Sequence, residues 1–332
     1  MNSIIRIGTR ESELAVWQAT LVKNMLAEKG YSSTLVYIKS EGDIDLKTPL
    51  YEMGVQGIFT RSLDIALLNN NIDIAVHSMK DVPTQLPVGI VQAAVLKRGN
   101  YKDLFVGNRE SAIGNRQSGI AKIGDTNDLI ESLKLKDLRL PIADSRFTVA
   151  TSSIRRKAQW LHRYPNASIE NLRGNVNTRL KKVAESNWDG AIFAAAGLER
   201  IGLRPENAVE LDWMLPAPAQ GAIMVVCREA DEICLNACAK LNDEATEICT
   251  KIERDFLREL LGGCSTPISA LGEMNNDEIH FIGNILSIDG KEKAEVEKII
   301  KKENAAGAGK QLAIELLKNG GQQIADSIRN AK

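Results

Sequence analysis

Charge of one sign is missing from this chain: 42 lysines and arginines stand against 43 aspartates and glutamates in 332 residues, a formal net charge of -1. That balance excludes the global electrostatic footprint of a nucleic-acid binder or of a protein drawn to an acidic membrane surface. Any basic site has to be built locally. Long apolar runs are also missing, and no segment approaches the roughly 20 residues that a bilayer-spanning helix needs. Met1 to Thr9 holds a short strand-like run rather than the pattern of a signal peptide, so the cytoplasm is the expected location. The five cysteines are an odd number without a CxxC pair. Cys227, Cys234, Cys238, Cys249 and Cys264 all fall in the last third, which argues for reduced thiols rather than a disulfide framework. Cys234 and Cys238 are spaced i, i+4 on a predicted helix, but no nearby histidine completes a metal site. They read as small buried apolar residues, and no metal is expected.

What is present is the profile of a globular protein with a sizeable core, 44% hydrophobic and 26% charged. The length suggests two or three domains. The chain is organised around Asp73 to Pro83. Ile72 to Val76 reads as a buried strand that stops at His77, Ser78, Met79, Lys80 and Asp81, and Pro83 forbids a regular continuation. In open α/β sheets ligands collect at the carboxyl ends of strands. A lysine and an aspartate side by side there can hold an anion and manage a proton or a cation.

Before that stretch, Ile4 to Gly8 reads as a strand, and Ser12 is placed to cap a helix whose core face is expected at Leu14, Trp17, Leu21 and Met25. Leu35 to Ile38 completes a β-α-β unit with a right-handed crossover. Residues 39–57 lose periodicity and suggest a lid loop. A helix with Phe59, Leu63, Ala66 and Leu67 on one face then feeds the central strand, and Leu86 to Leu96 supplies another.

The theme repeats. Phe147 to Ala150 is a strand, Thr151-Ser152-Ser153 stands where a helix begins, and Arg155 and Arg156 occupy its first turn. Two arginines there oppose the helix dipole, an arrangement that makes sense if an anion sits between them. Ser168 to Leu172 is a strand closed by Arg173-Gly174-Asn175, a helix carries Arg179, and Gly190 to Ala195 ends before Arg200. Arginine's planar fork suits carboxylate or phosphate. So many guanidinium groups at strand ends predict a ligand with several anionic groups. Residues 108–146 are polar and mixed and read as a surface insertion. After Pro216 to Ala222, the strand Ile223 to Cys227 is expected to return to the first sheet as an antiparallel member, making two crossings that act as a hinge.

Glu244 to Leu261 is a clear helix that runs into Gly262-Gly263-Cys264, a tight loop where a thiol is open to something bulky. Ile279 to Ile288 and Ala294 to Ile300 predict a hairpin about Asp289-Gly290, followed by a final helix over about 309–325. The whole is α/β: two doubly wound domains plus a small α+β domain.

Several stretches together resemble the porphobilinogen deaminase (hydroxymethylbilane synthase) family. They are Arg6 to Ser12, Ala75 to Pro83, Thr151 to Arg156, Leu172 to Val176 with Thr178 to Leu180, Ala196 to Arg200, Pro218 to Ala222, and Gly262 to Cys264. They fall in order and cover most of the chain outside 108–146. The resemblance implies a periplasmic-binding-protein-like pair of domains around a cleft, here 1–100 with about 222–240 and 101–216, and a third domain over 244–332. It implies a dipyrromethane cofactor joined through a thioether to Cys264, onto which four porphobilinogen units are added, ammonia leaving each time, before hydrolysis releases a linear tetrapyrrole. Loss of ammonia leaves an azafulvene-type cation, and Asp81 is the carboxylate to stabilise it and to pass protons. The resemblance places Ser12, Lys80, Asp81, Ser152, Ser153, Arg155 and Arg156 around the cofactor, and Arg10, Arg173, Arg179 and Arg200 around substrate carboxylates. His77 is left as structural. A monomer is implied, with no nucleic-acid or membrane partner.

The chain departs from the family pattern in having Glu13 where proline is common, Gln56 for a basic lid residue, and Leu261 before the glycine pair, besides the long 108–146 insertion. A binding protein on the same two-domain cleft would explain the arginines and the lid, but not Asp81 beside Lys80 or Cys264 on its glycine loop. A thiol enzyme using Cys264 would need a partnered histidine that the sequence does not supply.

Overall fold

The computed structural model describes residues 4–39, 60–108, 147–260 and 266–330. The lid beyond Lys39, the insertion beyond Asn108 and the Cys264 loop lie outside the described residues.

The first sheet has the strand order β2-β1-β3-β10-β4, from Ser33–Tyr37, Ile5–Thr9, Ile74–Ser78, Ile223–Arg228 and Ile90–Val95. β1 runs parallel to both β2 and β3, while β10 is antiparallel to β3 and β4. The returning antiparallel strand is where the sequence places it. Helices α1 (Glu13–Glu28) and α2 (Arg61–Leu68) cover this sheet. The core face of α1 is Ala15, Gln18, Ala19, Val22 and Leu26, one position away from the predicted face. Leu21 and Met25 still pack at its edge, but Trp17 is 37% exposed. The reason is tertiary. The start of α1 faces the second domain, where the Arg200 guanidinium lies 5.7 Å from the centre of the Trp17 ring.

The second sheet has the order β7-β6-β8-β5-β9, from Ser168–Glu170, Thr148–Ala150, Gly190–Ala194, Asp103–Gly107 and Val209–Glu210. Again two parallel pairs, β6 with β7 and β8, are joined by an antiparallel crossing strand, β5. Each crossing strand thus enters the sheet of the domain that the chain has just reached. Helices α3 (Ile154–Arg163), α4 (Val176–Ala184) and the short α5 (Ala195–Glu199) follow β6, β7 and β8. In α3 it is Ser153 that caps, accepting from the Arg156 amide; the Ser152 hydroxyl donates to the Leu172 carbonyl at 2.6 Å. The crossings touch where the Gly99 amide donates to the Gly221 carbonyl at 3.1 Å. Gly221 has φ +87, and a Cβ there would meet the Gly99 carbonyl oxygen at 2.7 Å, so only glycine fits without a shift.

After α6 (Glu232–Ala239) and α7 (Glu244–Leu260), the third domain is an antiparallel meander, β11 (Ile268–Asn275), β12 (Glu278–Leu286) and β13 (Lys293–Lys301). Phe256 of α7 meets Phe281 of β12 edge to face at 5.2 Å in its core. The final helix predicted over 309–325 is two helices, α8 (Ala308–Leu316) and α9 (Gln322–Asn330). Gly320 at φ 98 breaks it, within an Asn-Gly-Gly sequence suited to ending a helix. Domain three is fastened to the two crossing segments through Glu253, whose buried carboxylate takes both Nη atoms of Arg98 at 2.6 and 3.1 Å, the Ala219 amide at 2.6 Å and the Gly272 amide at 2.8 Å. Four donors on one carboxylate offset the cost of burying it.

One buried acid works against stability. Burial raises Asp64 of α2 to about 6, with Thr60 bonding the other way. A raised folded value means that the stabilisation by the neutral form is complete below the unfolded value of 3.8 and is lost as pH rises through 6. Asp64→Asn keeps a partner for Thr60 and is expected to gain about 2 kcal/mol at pH 7, fading toward zero near pH 4. Denaturant unfolding at the two pH values checks this, and an equal gain at both would refute it.

Candidate active site

The carboxyl ends of the parallel strands of both sheets open on one cleft between the domains. β1 leads to Arg10, Ser12 and Glu13; β3 leads through a 3-10 turn, Met79–Asp81, to Lys80 and Asp81. β7 leads to Arg173, Gly174 and Asn175, and β8 ends at Ala194. The cleft encloses about 1190 Å³, part of it open to solvent. Among its described lining residues, Arg10, Lys80, Arg156, Arg173 and Arg179 outnumber the carboxylates Asp81 and Glu13. The near-neutral chain has concentrated positive charge at one place.

Asp81 is exposed in this cleft, whereas Lys80 beside it is half-buried. Burial lowers Lys80 to about 8 while Asp81 pulls the other way. Arg179 falls to about 10, first through burial and then through the charge of Arg156, with Asp81 opposing. Its Nε donates to the Gly174 carbonyl at 2.7 Å, which aims the guanidinium from the first turns of α4. Asn175 caps that helix by accepting from the Thr178 amide at 2.9 Å. His77 is buried and held neutral at about 4, by burial and then by Arg10. A neutral ring fits the structural reading of this residue.

The anion expected between Arg155 and Arg156 is Asp103, from the crossing strand β5. Arg155 Nη2 reaches Asp103 Oδ2 at 2.7 Å, and Arg156 donates to Oδ1 from Nη2 at 2.7 Å and from Nε at 3.1 Å. Gln220 Nε2 adds a bond to the same carboxylate at 2.9 Å. Burial alone would raise Asp103, yet the two guanidiniums outweigh it and hold the acid at about 2. Arg155 also donates from Nη1 to the Leu215 carbonyl at 2.7 Å and does not line the cleft; Arg156 does. Two cations against one anion leave net positive charge behind Lys80.

The other expected residues divide. Arg10, Ser12, Lys80, Asp81, Arg156, Arg173 and Arg179 come together on the cleft. Ser152 and Ser153 bond to local backbone. Arg200 donates to the Gly221 carbonyl at 2.6 Å and covers Trp17, bridging the hinge and both domains. Cys264 lies outside the described residues. Sequence reasoning missed Asp103 and Gln220, since their partners are far away in the chain. It also missed the use of Glu13, whose Oε2 accepts from Asn177 Nδ2 at 2.9 Å across the cleft mouth. Proline at position 13 would have no such group.

The two α/β domains, between which the chain crosses twice, thus enclose a cationic cleft suited to a ligand with several anionic groups, with the exposed carboxylate of Asp81 within it. Family comparison matches residues 5–236 to "Porphobilinogen deaminase, dipyromethane cofactor binding domain" and 247–318 to "Porphobilinogen deaminase, C-terminal domain". The chain belongs to the porphobilinogen deaminase family. The porphobilinogen deaminase of Pelobacter propionicus is 36% identical over 329 residues, 98% of this chain and 97% of that one. The probable porphobilinogen deaminase of Methanocaldococcus jannaschii is 38% identical over 320 residues, 94% of this chain and 99% of that one. Among solved structures, the Bordetella pertussis BvgS VFT2 domain overlaps 72% of this chain and 86% of its own, with TM-score 0.40 at 10% identity. Among the described residues no helix is long and apolar enough to cross a membrane.

Proposed function

We propose that this protein is a hydroxymethylbilane synthase: it condenses four porphobilinogen molecules in turn onto a covalent dipyrromethane, with loss of four ammonia, and releases the linear tetrapyrrole by hydrolysis. The observation that carries this reading is five cationic side chains around one exposed aspartate, in a cleft of a chain that belongs to this family.

The donor set fits the cofactor. A dipyrromethane bears acetate and propionate groups, and each added pyrrole brings two more carboxylates, so Arg10, Arg173 and Arg179 have anions to bind in bidentate fashion. Ser12, Lys80 and Arg156 would hold the carboxylates of the dipyrromethane itself, and Cys264 would anchor it by a thioether. When bound, the dipyrromethane supplies the α-position at which each new pyrrole is joined. Asp81 faces the substrate methylene that becomes positive as ammonia departs, and a carboxylate preplaced there stabilises that charge. It also relays protons, taking one from the attacked ring carbon and returning it to the amine that leaves in the next cycle. Lys80 keeps a cation beside the carboxylate.

On this reading Ser153 serves the fold of α3, and Arg155 and Arg200 act from behind the cleft, through Asp103 and the Gly221 carbonyl. We assign the domains as 1–100 with about 222–240, 101–216, and 244–332, and expect a cytoplasmic monomer. Intact-mass measurement of the purified protein beside Cys264→Ser tests the proposal. The expected result is an excess matching a dipyrromethane on the wild type and none on the variant. A bare mass for freshly made wild type, unchanged by porphobilinogen, would overturn the reading in favour of a binding protein.

A further inference from the structure

The turn that carries Lys80 and Asp81 is short, and little of its own backbone secures it. Met79–Asp81 makes a single 3-10 turn, closed by the Val82 amide on the Met79 carbonyl at 3.2 Å, and Pro83 follows. The Met79 amide donates to the Ala222 carbonyl at 3.0 Å, which fixes the start of the turn to the residue just before β10. Its carbonyl side is held from another domain. Arg254, on α7, donates from Nη1 to the Val82 carbonyl at 2.9 Å and to the Met79 carbonyl at 3.3 Å, and from Nη2 to the Pro83 carbonyl at 2.6 Å. These carbonyls close the turn without continuing into a helix, so they need donors from outside. One planar guanidinium meets three of them, a geometry that a lysine ammonium cannot reproduce.

We infer that Arg254 is a positioning residue for Asp81, a clamp from the third domain that sets where the carboxylate stands. The inference rests on the proposed role of Asp81. Arg254 contacts none of the described cleft-lining side chains through these bonds; it acts on the backbone on either side of them. The same helix α7 ends at Leu260, four residues before Cys264 in the sequence. One rigid helix thus holds the aspartate turn and leads into the proposed anchor of the cofactor. Burial and hydrogen bonding give α7 independent support through Ile252, Phe256 and the Glu253–Arg98 pair, so loss of the Arg254 fork frees the turn and leaves the helix docked.

The test uses the cofactor-loaded enzyme. Arg254→Leu is expected to keep the dipyrromethane mass and to lose about 100-fold in kcat, with KM for porphobilinogen within about threefold, because a reacting group misplaced by about 1 Å costs this much. Arg254→Lys, which keeps the charge and part of the hydrogen bonding, should recover part of kcat, and it serves as the test variant if the leucine form does not fold. The decisive arm is the Asp81→Asn background, where single-turnover addition of one porphobilinogen is followed. There Arg254 substitution should change the residual rate less than about threefold, since a positioning residue has nothing left to position. A full additional 100-fold loss in that background, a loss confined to KM, or wild-type kcat in both Arg254 variants would each overturn the inference. A fully active Asp81→Asn enzyme would instead overturn the role of Asp81 itself, so the two failures are distinguishable.

Discussion

Asp81→Asn is expected to retain the dipyrromethane and to lose at least about 1000-fold in turnover. The substitution is nearly isosteric and falls on an exposed side chain, so the turn and its clamp are undisturbed. What it removes is a full negative charge beside a developing cation, together with the group that relays protons. Removal of one preorganised electrostatic partner costs about 100- to 1000-fold, and loss of general acid–base action multiplies that by a similar factor. Steady-state porphobilinogen consumption and intact mass, measured together, separate loss of chemistry from loss of cofactor. Turnover within tenfold of wild type would exclude the carboxylate from the reaction. The surrounding cations sharpen the expectation: with the charge of Asp81 gone, Lys80 and Arg179 both lose the anion that pulls them toward their charged forms.

Asp103→Asn is expected to be the most damaging single change to stability outside the apolar cores. It leaves Arg155 and Arg156 buried with no counter-charge, and breaking a buried pair in this way costs about 3–5 kcal/mol. The loss is shared with the hinge, because Gln220 and the Leu215 carbonyl belong to the same set of bonds. Because Asp103 is held at about 2 in the folded protein, its contribution is present above the unfolded value of 3.8 and disappears as pH falls toward 2. Urea unfolding at pH 7 measures the cost, and a destabilisation below about 1 kcal/mol would show that the two arginines find other partners. Arg155 and Arg156 also show how one motif can hold two roles. Adjacent residues on α3 share an acid, but only Arg156 reaches on to the cleft.

Much of this architecture was legible in the chain. Strand ends rich in arginine, the β-α-β order and the antiparallel return of β10 followed from apolar runs interrupted by polar punctuation, which are local properties. So did the cationic character of the site, because Arg10, Lys80 and Arg173 follow strands of a doubly wound sheet, Arg179 stands on the next helix, and the carboxyl ends of such strands converge. What the sequence could not decide was which partner each long side chain takes. Arg155 and Arg156 are neighbours that both turn to Asp103, 52 and 53 positions away, yet only Arg156 also lines the cleft, while Arg200 turns to Gly221, 21 positions away. The face of α1 shifted for the same reason, since Trp17 answers to the second domain rather than to its own sheet. Arg254 carries no signal at all on an amphipathic helix; its meaning lies 171 to 175 residues upstream, at the carbonyls of Met79, Val82 and Pro83. Periodicity and strand-end chemistry are written within a few residues and determine the folds and the polarity of the cleft. The pairing of charges across domains depends on contacts that exist only once the three domains have closed on the hinge, and that closure decided which arginines face a ligand and which hold the protein together.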